Sequence, residues 1–388
     1  MVDYSLVVPK AVAQMKPSGI RKYFGIMDTL PDAISLGVGE PDFITPRHIM
    51  QAGIDSLLAG KTQYTANNGL IQPRKEISKY LEKRFETSYD PESEVLVTVG
   101  GSEAIDLCLR AFLTFGDEVL VPEPSFVCYA PLAEMTGAKA IPIVTKKEDS
   151  FKLTPEALKA AITPKTKVLV LSYPNNPTGG VMKKDELEAI AKVLEGTNII
   201  VISDEIYAEL TYGFKHTSFA AIKDMRERTI LVSGFSKAFA MTGWRLGYCC
   251  GPKEIMKYVA QIHQYALMCA STPAQYAGLE ALQNGLDDTR RMCEEYDRRR
   301  LYIYKALTDM GFDCFEPEGA FYIFPDVSMF ARDGGDFVES LLADQHVAVV
   351  PGDAFGQSGI NHVRISYAYS LETLKKALDR INNFISKK

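Results

Sequence analysis

Residues 94–113 read EVLVTVGGSEAIDLCLRAFL and carry the clearest sign of the fold class. The run begins with β-branched and apolar residues and turns at two glycines. It then continues with apolar residues at helical spacing: Ile105, Cys108, Leu109 and Phe112. A strand followed at once by an amphipathic helix is the repeating unit of α/β proteins. This stretch therefore predicts a sheet with helices packed against it.

Further predicted strands follow at intervals toward the C-terminus. They are EVLVP at 118–122, AKAIPIV at 138–144, KVLVLSYP at 167–174, NIIVISD at 198–204, TILVSG at 229–234 and LGYCCG at 246–251. Between two of them, DELEAIAKVLEG at 185–196 has helical spacing of its apolar residues. Strands that alternate with helices are joined by crossovers, which favours a parallel arrangement. We therefore predict an α/β fold with a mostly parallel sheet covered by helices on both faces.

The pattern changes after residue 252, which predicts a second unit. A long charged helical run at 290–310 is followed by the short β-rich runs AFYIFP at 320–325 and VAVVP at 347–351. A length of 388 residues is also long for a single core. We predict a large domain over 46–285 and a smaller α/β domain formed by 1–45 and 286–388, with the ligand site in the cleft between them.

Composition excludes several classes of protein. Hydrophobic residues make up 46% and charged residues 24%, an ordinary globular balance. The net charge of −6 argues against nucleic-acid or membrane partners, and the chain has no apolar stretch long enough to span a bilayer. The 5 histidines are scattered, so no metal site is expected, and the 7 cysteines lack CxxC pairing. A cytoplasmic protein is the expectation.

The turn GGSEAI at 100–105 is the first candidate binding element. Small residues at a helix start leave backbone N–H groups free, and the helix dipole favours an anion such as a phosphate. The alternative is a tight turn in which Ser102 caps the helix. The turn matches neither GxGxxG nor GxxxxGK[ST], which disfavours dinucleotide and ATP folds.

Polar side chains also follow the later strands. Asn175 and Asn176 lie in SYPNNPTGG, where either amide is a candidate ligand contact and a plain turn is the alternative. Asp204 ends the run NIIVISD, and Tyr207 lies three residues further on. A carboxylate at the end of a central strand is costly without a cationic partner. A helix cap at Ser203 or Asp204 is the competing interpretation.

Lys237 lies in GFSKAFAMTGWRLG at 234–247 among apolar and small residues. Desolvation there is expected to lower its pKa, and a neutral amine is a nucleophile toward aldehydes. A lysine whose stem snorkels to the surface is the alternative. An amine, a carboxylate, an amide, an anion-binding turn and the cation Arg245 together match a ligand with an aldehyde, a basic ring nitrogen and an anionic tail. Pyridoxal 5′-phosphate is such a ligand.

The chain resembles fold-type I pyridoxal-phosphate-dependent aminotransferases of the class I/II family, in the aspartate/aromatic-type bacterial and archaeal branch. The matching motifs occur in family order from about residue 18 to the end. They are SLGVGEPDF at 35–43, QYTANNG at 63–69, YPNNPTG at 173–179, SDEIY at 203–207, SKAFAMTGWRLG at 236–247, PEGAFYIFP at 317–325 and VRISYA at 363–368. Several motifs in order are far more specific than any single one.

The resemblance implies a role for each matched residue. Lys237 holds the cofactor and moves the substrate proton, Asp204 pairs with the ring nitrogen, and Tyr207 and Asn176 bind the ring oxygen. Phe126 stacks on the ring, although a core phenylalanine is the alternative. Arg364, Asn176 and Gly39 surround the substrate carboxylate. The phosphate is expected at Gly101, Ser102, Glu103, Ser236 and Arg245.

Three positions near the implied phosphate and substrate sites leave questions open. A serine that commonly stands three residues before the lysine is Gly234 here, and Ser236 or Ser233 is expected to replace it. Tyr64 resembles a tyrosine that crosses a homodimer interface to the partner's phosphate. Arg21 either closes over substrate or is a surface cation.

The resemblance implies a ping-pong transaminase that moves an amino group from an L-amino acid to a 2-oxo acid such as 2-oxoglutarate. A neutral, aromatic or broad-range donor is expected, because no cation marks a second carboxylate site. A pyridoxal-phosphate-dependent C–S β-lyase is the alternative. The aminotransferase-like sensor domain of a transcription regulator is a remote one, because only about 17 residues precede the matching region, fewer than a DNA-binding module needs.

Overall fold

The computed structural model describes residues 2–3, 6–13, 15, 19 and 32–388. Within them, seven strands form one sheet: β2 (Val95–Thr98), β3 (Glu118–Glu123), β4 (Lys139–Val144), β5 (Thr166–Ser172), β6 (Ile200–Asp204), β7 (Thr229–Gly234) and β8 (Gly247–Cys250). Their order in the sheet is β2-β8-β7-β6-β5-β3-β4. Strand β8 runs antiparallel to both of its neighbours, and the other pairs are parallel. The predicted mostly parallel α/β sheet is confirmed.

Helices cover both faces of this sheet, and other helices pack on the two small sheets. Those of the N-terminal half are α1 (Lys10–Ala13), α2 (Arg47–Leu58), α3 (Ile71–Phe85), α4 (Gly100–Phe112), α5 (Tyr129–Met135), α6 (Pro155–Ala161) and α7 (Lys184–Leu194). Those that follow are α8 (Lys253–Ala266), α9 (Thr272–Asn284), α10 (Leu286–Asp309), α11 (Gly334–Gln345) and α12 (Leu371–Ile385). Helix α6 has a favourable N-terminus, since the Thr154 side chain accepts the Ala157 N–H and Pro155 is the first helical residue.

Two small sheets lie outside the large one. Strand β1 (Ile34–Ser35) pairs in parallel with β10 (Val347–Ala348). Strand β12 (Val363–Ser366) lies between β11 (Val350–Pro351) and β9 (Tyr322–Ile323), antiparallel to both. A large core cluster unites these elements with α10, α11 and α12. No helix within the described ranges combines the length and apolar character needed to cross a membrane.

The register of the large sheet brings the polar strand ends together. Ser172 on β5 pairs with Asp204 on β6, and Asp204 pairs with Val232 on β7. Strand interiors such as Val170, Ile202 and Leu231 are fully apolar and buried on both faces. The polar residues therefore collect at the carboxyl edge of the sheet, where open α/β sheets bind ligands.

Candidate active site

A cavity of about 510 Å³ lies at this carboxyl edge, between the large sheet and the β9–β12 region. Most of the residues predicted from sequence line it. They are Gly39, Gly101, Ser102, Phe126, Asn176, Asp204, Tyr207, Ser236, Lys237, Arg245 and Arg364. Val38, Glu40, Ile105, Tyr129, Ser172, Ile206, Thr242, Gly243 and Tyr322 complete the lining. Residues that are far apart in sequence thus meet at one site.

Lys237 follows β7 and reaches into the cavity. Its Nζ donates a hydrogen bond of 2.5 Å to the carbonyl oxygen of Gly39. Burial lowers the pKa of the Lys237 amine to about 8, and the positive charge of Arg364 adds to the effect. A substantial fraction of the amine is therefore neutral near physiological pH, and a neutral amine is the nucleophilic form.

Asp204 is the last residue of β6 and is 5% exposed. Its Oδ2 accepts a hydrogen bond of 2.7 Å from the Tyr129 hydroxyl, and its Oδ1 accepts the Ile206 N–H at 3.2 Å. Burial raises the pKa of Asp204 to about 6, while both hydrogen bonds lower it. No helix begins here, so the alternative of a helix cap at Ser203 or Asp204 is wrong.

Tyr129 was not predicted from the sequence. It begins α5, is 1% exposed, and its hydroxyl lies 2.9 Å from Ser172 Oγ as well as against Asp204. Its ring meets that of Phe126 edge to face, with centroids 5.9 Å apart. The available signal was its position three residues after Phe126 in the motif PSFVCY.

Arg364 lies in β12 and is 1% exposed. It donates to Asn176 Oδ1 at 2.8 Å and to the Gly37 carbonyl at 2.6 Å. Its Nε is buried and has no hydrogen-bond partner among the described residues. Burial lowers the pKa of this guanidinium. A buried cation with neutral partners and a free donor is a strong site for a carboxylate.

The two asparagines of SYPNNPTGG have different roles. Asn175 maintains the turn, because its Oδ1 accepts from the Thr178 N–H and hydroxyl at 3.2 and 2.9 Å. Asn176 instead faces the cavity and orients Arg364. The choice left open by the sequence therefore falls on Asn176.

Tyr207 and Tyr322 lie side by side in the cavity wall. Their hydroxyl oxygens lie 2.7 Å apart, and both side chains are buried. A Cβ on Gly39 would come within 2.4 Å of the Tyr322 oxygen, so a side chain at this position would displace the Tyr322 hydroxyl. The motif PEGAFYIFP contains Tyr322, but the pairing of Tyr322 with Tyr207 was not predicted.

The opposite end of the cavity is suited to an anion. Helix α4 begins at Gly100, so Gly101 and Ser102 lie in its first turn and Ser102 is not the helix cap. Arg245 lies beside this turn, since a Cβ on Gly100 would come within 2.8 Å of its Nη2. Its Nη1 donates to the Thr242 carbonyl at 3.0 Å. Backbone donors and a guanidinium therefore face the same space.

The glycine in place of the expected serine has a steric reason. A Cβ on Gly234 would lie 2.9 Å from Gly247 Cα and 3.0 Å from the Leu246 carbonyl oxygen. The two strands are too close there for any side chain. Ser233 is buried with its hydroxyl 3.3 Å from the Glu205 carbonyl, whereas Ser236 lines the cavity. Ser236 is the better placed of the two candidates.

Comparison with known proteins identifies the family. The model of the family "Aminotransferase class I and II" matches residues 31–381. The putative aminotransferase YugH of Bacillus subtilis is 48% identical, with 97% of each chain covered. The aspartate aminotransferase of Pyrococcus abyssi is 44% identical, with 96% of this chain and 97% of the relative covered. The aromatic aminotransferase structure from Pyrococcus horikoshii OT3 superposes with a TM-score of 0.90 at 42% identity, covering 93% of this chain and 98% of the other.

The chain belongs to this family. Class I and II aminotransferases depend on pyridoxal phosphate, and this chain is a pyridoxal-phosphate-dependent transaminase. The cavity fits that cofactor. The amine of Lys237 suits the aldehyde, the carboxyl of Asp204 suits the ring nitrogen, and the guanidinium of Arg245 suits the phosphate.

Two of the predicted residues, Tyr64 and Glu103, do not line this cavity. Tyr64 is 81% exposed and does not line it, and Arg21 lies outside the described residues. The side chain of Glu103 points to His263, with Oε1 and Nδ1 3.0 Å apart. The described residues contain no group of His, Cys, Asp and Glu side chains that could hold a metal.

Proposed function

We propose that this transaminase moves the amino group of a neutral or aromatic L-amino acid to a 2-oxo acid such as 2-oxoglutarate by a ping-pong mechanism. The observation that carries the proposal is a half-buried amine, Lys237, in one cavity with a buried carboxyl and a buried guanidinium, Asp204 and Arg364. These are the three groups that a reaction at the Cα of an amino acid requires.

When bound, pyridoxal phosphate supplies an electron sink for the negative charge that forms at the substrate Cα. Asp204 keeps the ring nitrogen protonated, because a cation next to this buried carboxyl relieves the cost of its ionisation. Lys237 would take the proton from the substrate Cα and deliver it to the aldehyde carbon of the cofactor, which a pKa of about 8 allows near neutral pH. Phe126 packs against the ring, and Tyr207 binds the ring oxygen.

Arg364 binds the substrate α-carboxylate. Its fork is held by Asn176 and by the Gly37 carbonyl, so the guanidinium is oriented before the substrate arrives. The absence of a side chain at Gly39 leaves the backbone close to that carboxylate. Gly101, Ser102, Ser236 and Arg245 hold the phosphate, with the backbone of Glu103 as a further donor.

The charges of the cavity support a donor without a second carboxylate. Among the described lining residues the cations are Lys237, Arg245 and Arg364, and each already has a role. Glu40 also lines the cavity, and its negative charge disfavours an acidic side chain nearby. Relatives with the printed names aspartate and aromatic aminotransferase are about equally similar to this chain. They therefore do not decide the donor class.

We also propose a cytoplasmic homodimer. Tyr64, Ile44 and Leu58 are each 81% exposed, and a second copy that covered such side chains would remove apolar surface from water. In that dimer Tyr64 reaches the partner's phosphate site. The seven cysteines, all free, are consistent with a reducing compartment.

We further propose that residues 46–285 form the large domain, because all strands of the seven-stranded sheet lie within this range.

Two half-reactions test the transaminase. The absorbance of the bound cofactor should change when a neutral or aromatic amino acid is added and return when a 2-oxo acid is added. Release of pyruvate and ammonia without an acceptor would instead support the C–S β-lyase. Lys237→Ala should remove the absorbance band of the bound cofactor, and an intact band would refute the assignment of Lys237. An aspartate-only donor profile would refute the donor class.

A further inference from the structure

Glu103 lies in the first turn of α4, but its carboxylate points away from the cavity that this turn lines. Its Oε2 accepts the Val99 N–H at 2.5 Å, and its Oε1 lies 3.0 Å from Nδ1 of His263. Val99 immediately precedes the helix, so the carboxylate closes back on the helix start. The Val99 N–H is thus satisfied within the protein, and the N–H groups of Gly101 and Ser102 are left for a ligand.

His263 is the second half of this arrangement. It lies on α8, which packs on α4 through Met256, Val259 and Cys108, and its side chain is 0% exposed. Because a carboxylate oxygen only accepts, Nδ1 carries the proton and donates to Glu103. The other ring nitrogen, Nε2, is buried and has no hydrogen-bond partner among the described residues. Within the described part of the chain, the Glu103 carboxylate is therefore the one polar partner of this buried imidazole, which indicates that His263 orients Glu103.

The turn held by Glu103 has little freedom. Gly100 has a positive φ of 77°, and a Cβ on Gly247 would lie 2.5 Å from Gly100 C and 2.7 Å from Gly101 N. The turn therefore rests directly on β8, and a small shift moves the backbone donors. In addition, a carboxylate that rotated toward the cavity would repel a phosphate, because like charges at short range in a partly desolvated site interact strongly.

We propose that the Glu103–His263 pair is a positioning device for the phosphate end of the cofactor. His263 holds the Glu103 carboxylate against the Val99 N–H, which fixes the turn and keeps the negative charge away from the bound phosphate. The inference rests on the proposed phosphate site at Gly101, Ser102 and Arg245. It adds His263 and gives the side chain of Glu103 a role distinct from that of its backbone.

The test compares two ligands of the full-length apoenzyme, pyridoxal phosphate and pyridoxal, which lacks the phosphate. In His263→Leu the dissociation constant for pyridoxal phosphate should rise about tenfold or more, as for loss of a charge-assisted hydrogen bond. The dissociation constant for pyridoxal should stay unchanged. His263→Asn should restore wild-type binding, because the asparagine amide donates from nearly the same position as imidazole Nδ1. Both constants are measured by titration of the cofactor absorbance.

Further variants separate this inference from the site on which it rests. In the double variant Glu103→Gln/His263→Leu no carboxylate is left unpaired, so binding should recover relative to His263→Leu and folding should be preserved. Equal weakening of both ligands in His263→Leu, or no weakening, would overturn the proposal. Arg245→Gln should weaken pyridoxal phosphate selectively. If it does so and the histidine variant does not, only the positioning role fails. If Arg245→Gln is not selective, the phosphate site itself is wrong.

Discussion

Removal of the Tyr129 hydroxyl should shift the acid side of the pH–activity profile to higher pH. This hydroxyl donates to Asp204 at 2.7 Å inside the protein, and Asp204 is the proposed partner of the ring nitrogen. Tyr129→Phe preserves the ring and its packing against Phe126 and deletes only the donor. The carboxylate then has the Ile206 N–H as its remaining hydrogen-bond donor among the described residues.

The size of the effect follows from the geometry. A short hydrogen bond to a buried carboxylate contributes about 1.5–3 kcal/mol, which corresponds to a rise of about one to two in the pKa of Asp204. The sign is fixed, because a hydrogen bond to the ionised form lowers a carboxyl pKa and its loss raises it. In wild-type protein this hydrogen bond opposes the rise to about 6 that burial causes. The variant should therefore lose activity at neutral pH and recover part of it at higher pH.

The assay is the pH dependence of kcat/KM for the amino-acid half-reaction, followed by the cofactor absorbance. Tyr173→Phe is a matched control. Tyr173 is also buried, and its hydroxyl contacts the backbone at Phe151 O and Leu153 N rather than a titrating group. The control should lose stability with an unchanged pH profile. Coincident acid limbs in wild type and Tyr129→Phe would refute the assignment of Tyr129 to Asp204.

Three further outcomes are expected. The folded pKa of Asp204, about 6 against an ordinary 3.8, means that its burial destabilises the apoenzyme above pH 6 and no longer does so below 3.8. Asp204→Asn should therefore raise apoenzyme stability by up to about 3 kcal/mol near pH 7 and less toward pH 4, measured by urea unfolding. Arg364→Leu should raise KM for amino acid and 2-oxo acid about 100-fold, and unchanged steady-state KM values would contradict its role. Gly234→Ser should lower the free energy of unfolding by about 1–3 kcal/mol without tighter cofactor binding in apoenzyme titrations, because its Cβ meets Gly247.

The parts of the site that the sequence predicted share one property. Asn176, Asp204 and Lys237 are polar residues that end or follow apolar runs, and parallel strands end at a common edge. The positions of the strands in the sequence are therefore enough to predict that these residues lie close together, even when the strand order is unknown. The order itself was not predicted, since the sequence does not show that β8 enters antiparallel between β2 and β7.

The site residues that were not predicted from the sequence have hydrogen-bond partners far away along the chain. Tyr129 contacts a carboxylate 75 positions later, and Tyr322 contacts a hydroxyl 115 positions earlier. Tyrosine is common in cores and on surfaces, so its type carries little information without a partner. At Gly234, too, the reason for the residue type could not be read from the local sequence. Its steric reason lies in the close approach of β7 and β8, which no local pattern reports.

The perturbed ionisations of the cavity point to one kind of ligand. Burial is the first cause of all three, yet it raises the pKa of Asp204 and lowers those of Lys237 and Arg364, since each shift opposes the charged form. A cation beside Asp204, or an anion beside Arg364, would offset the free-energy cost of keeping that residue charged in a buried site. Burial favours Lys237 as the neutral amine. A protonated ring nitrogen, a substrate carboxylate and an aldehyde satisfy these needs together. We infer that the burial that makes these residues costly to ionise also favours binding of the cofactor and the amino acid in this cavity.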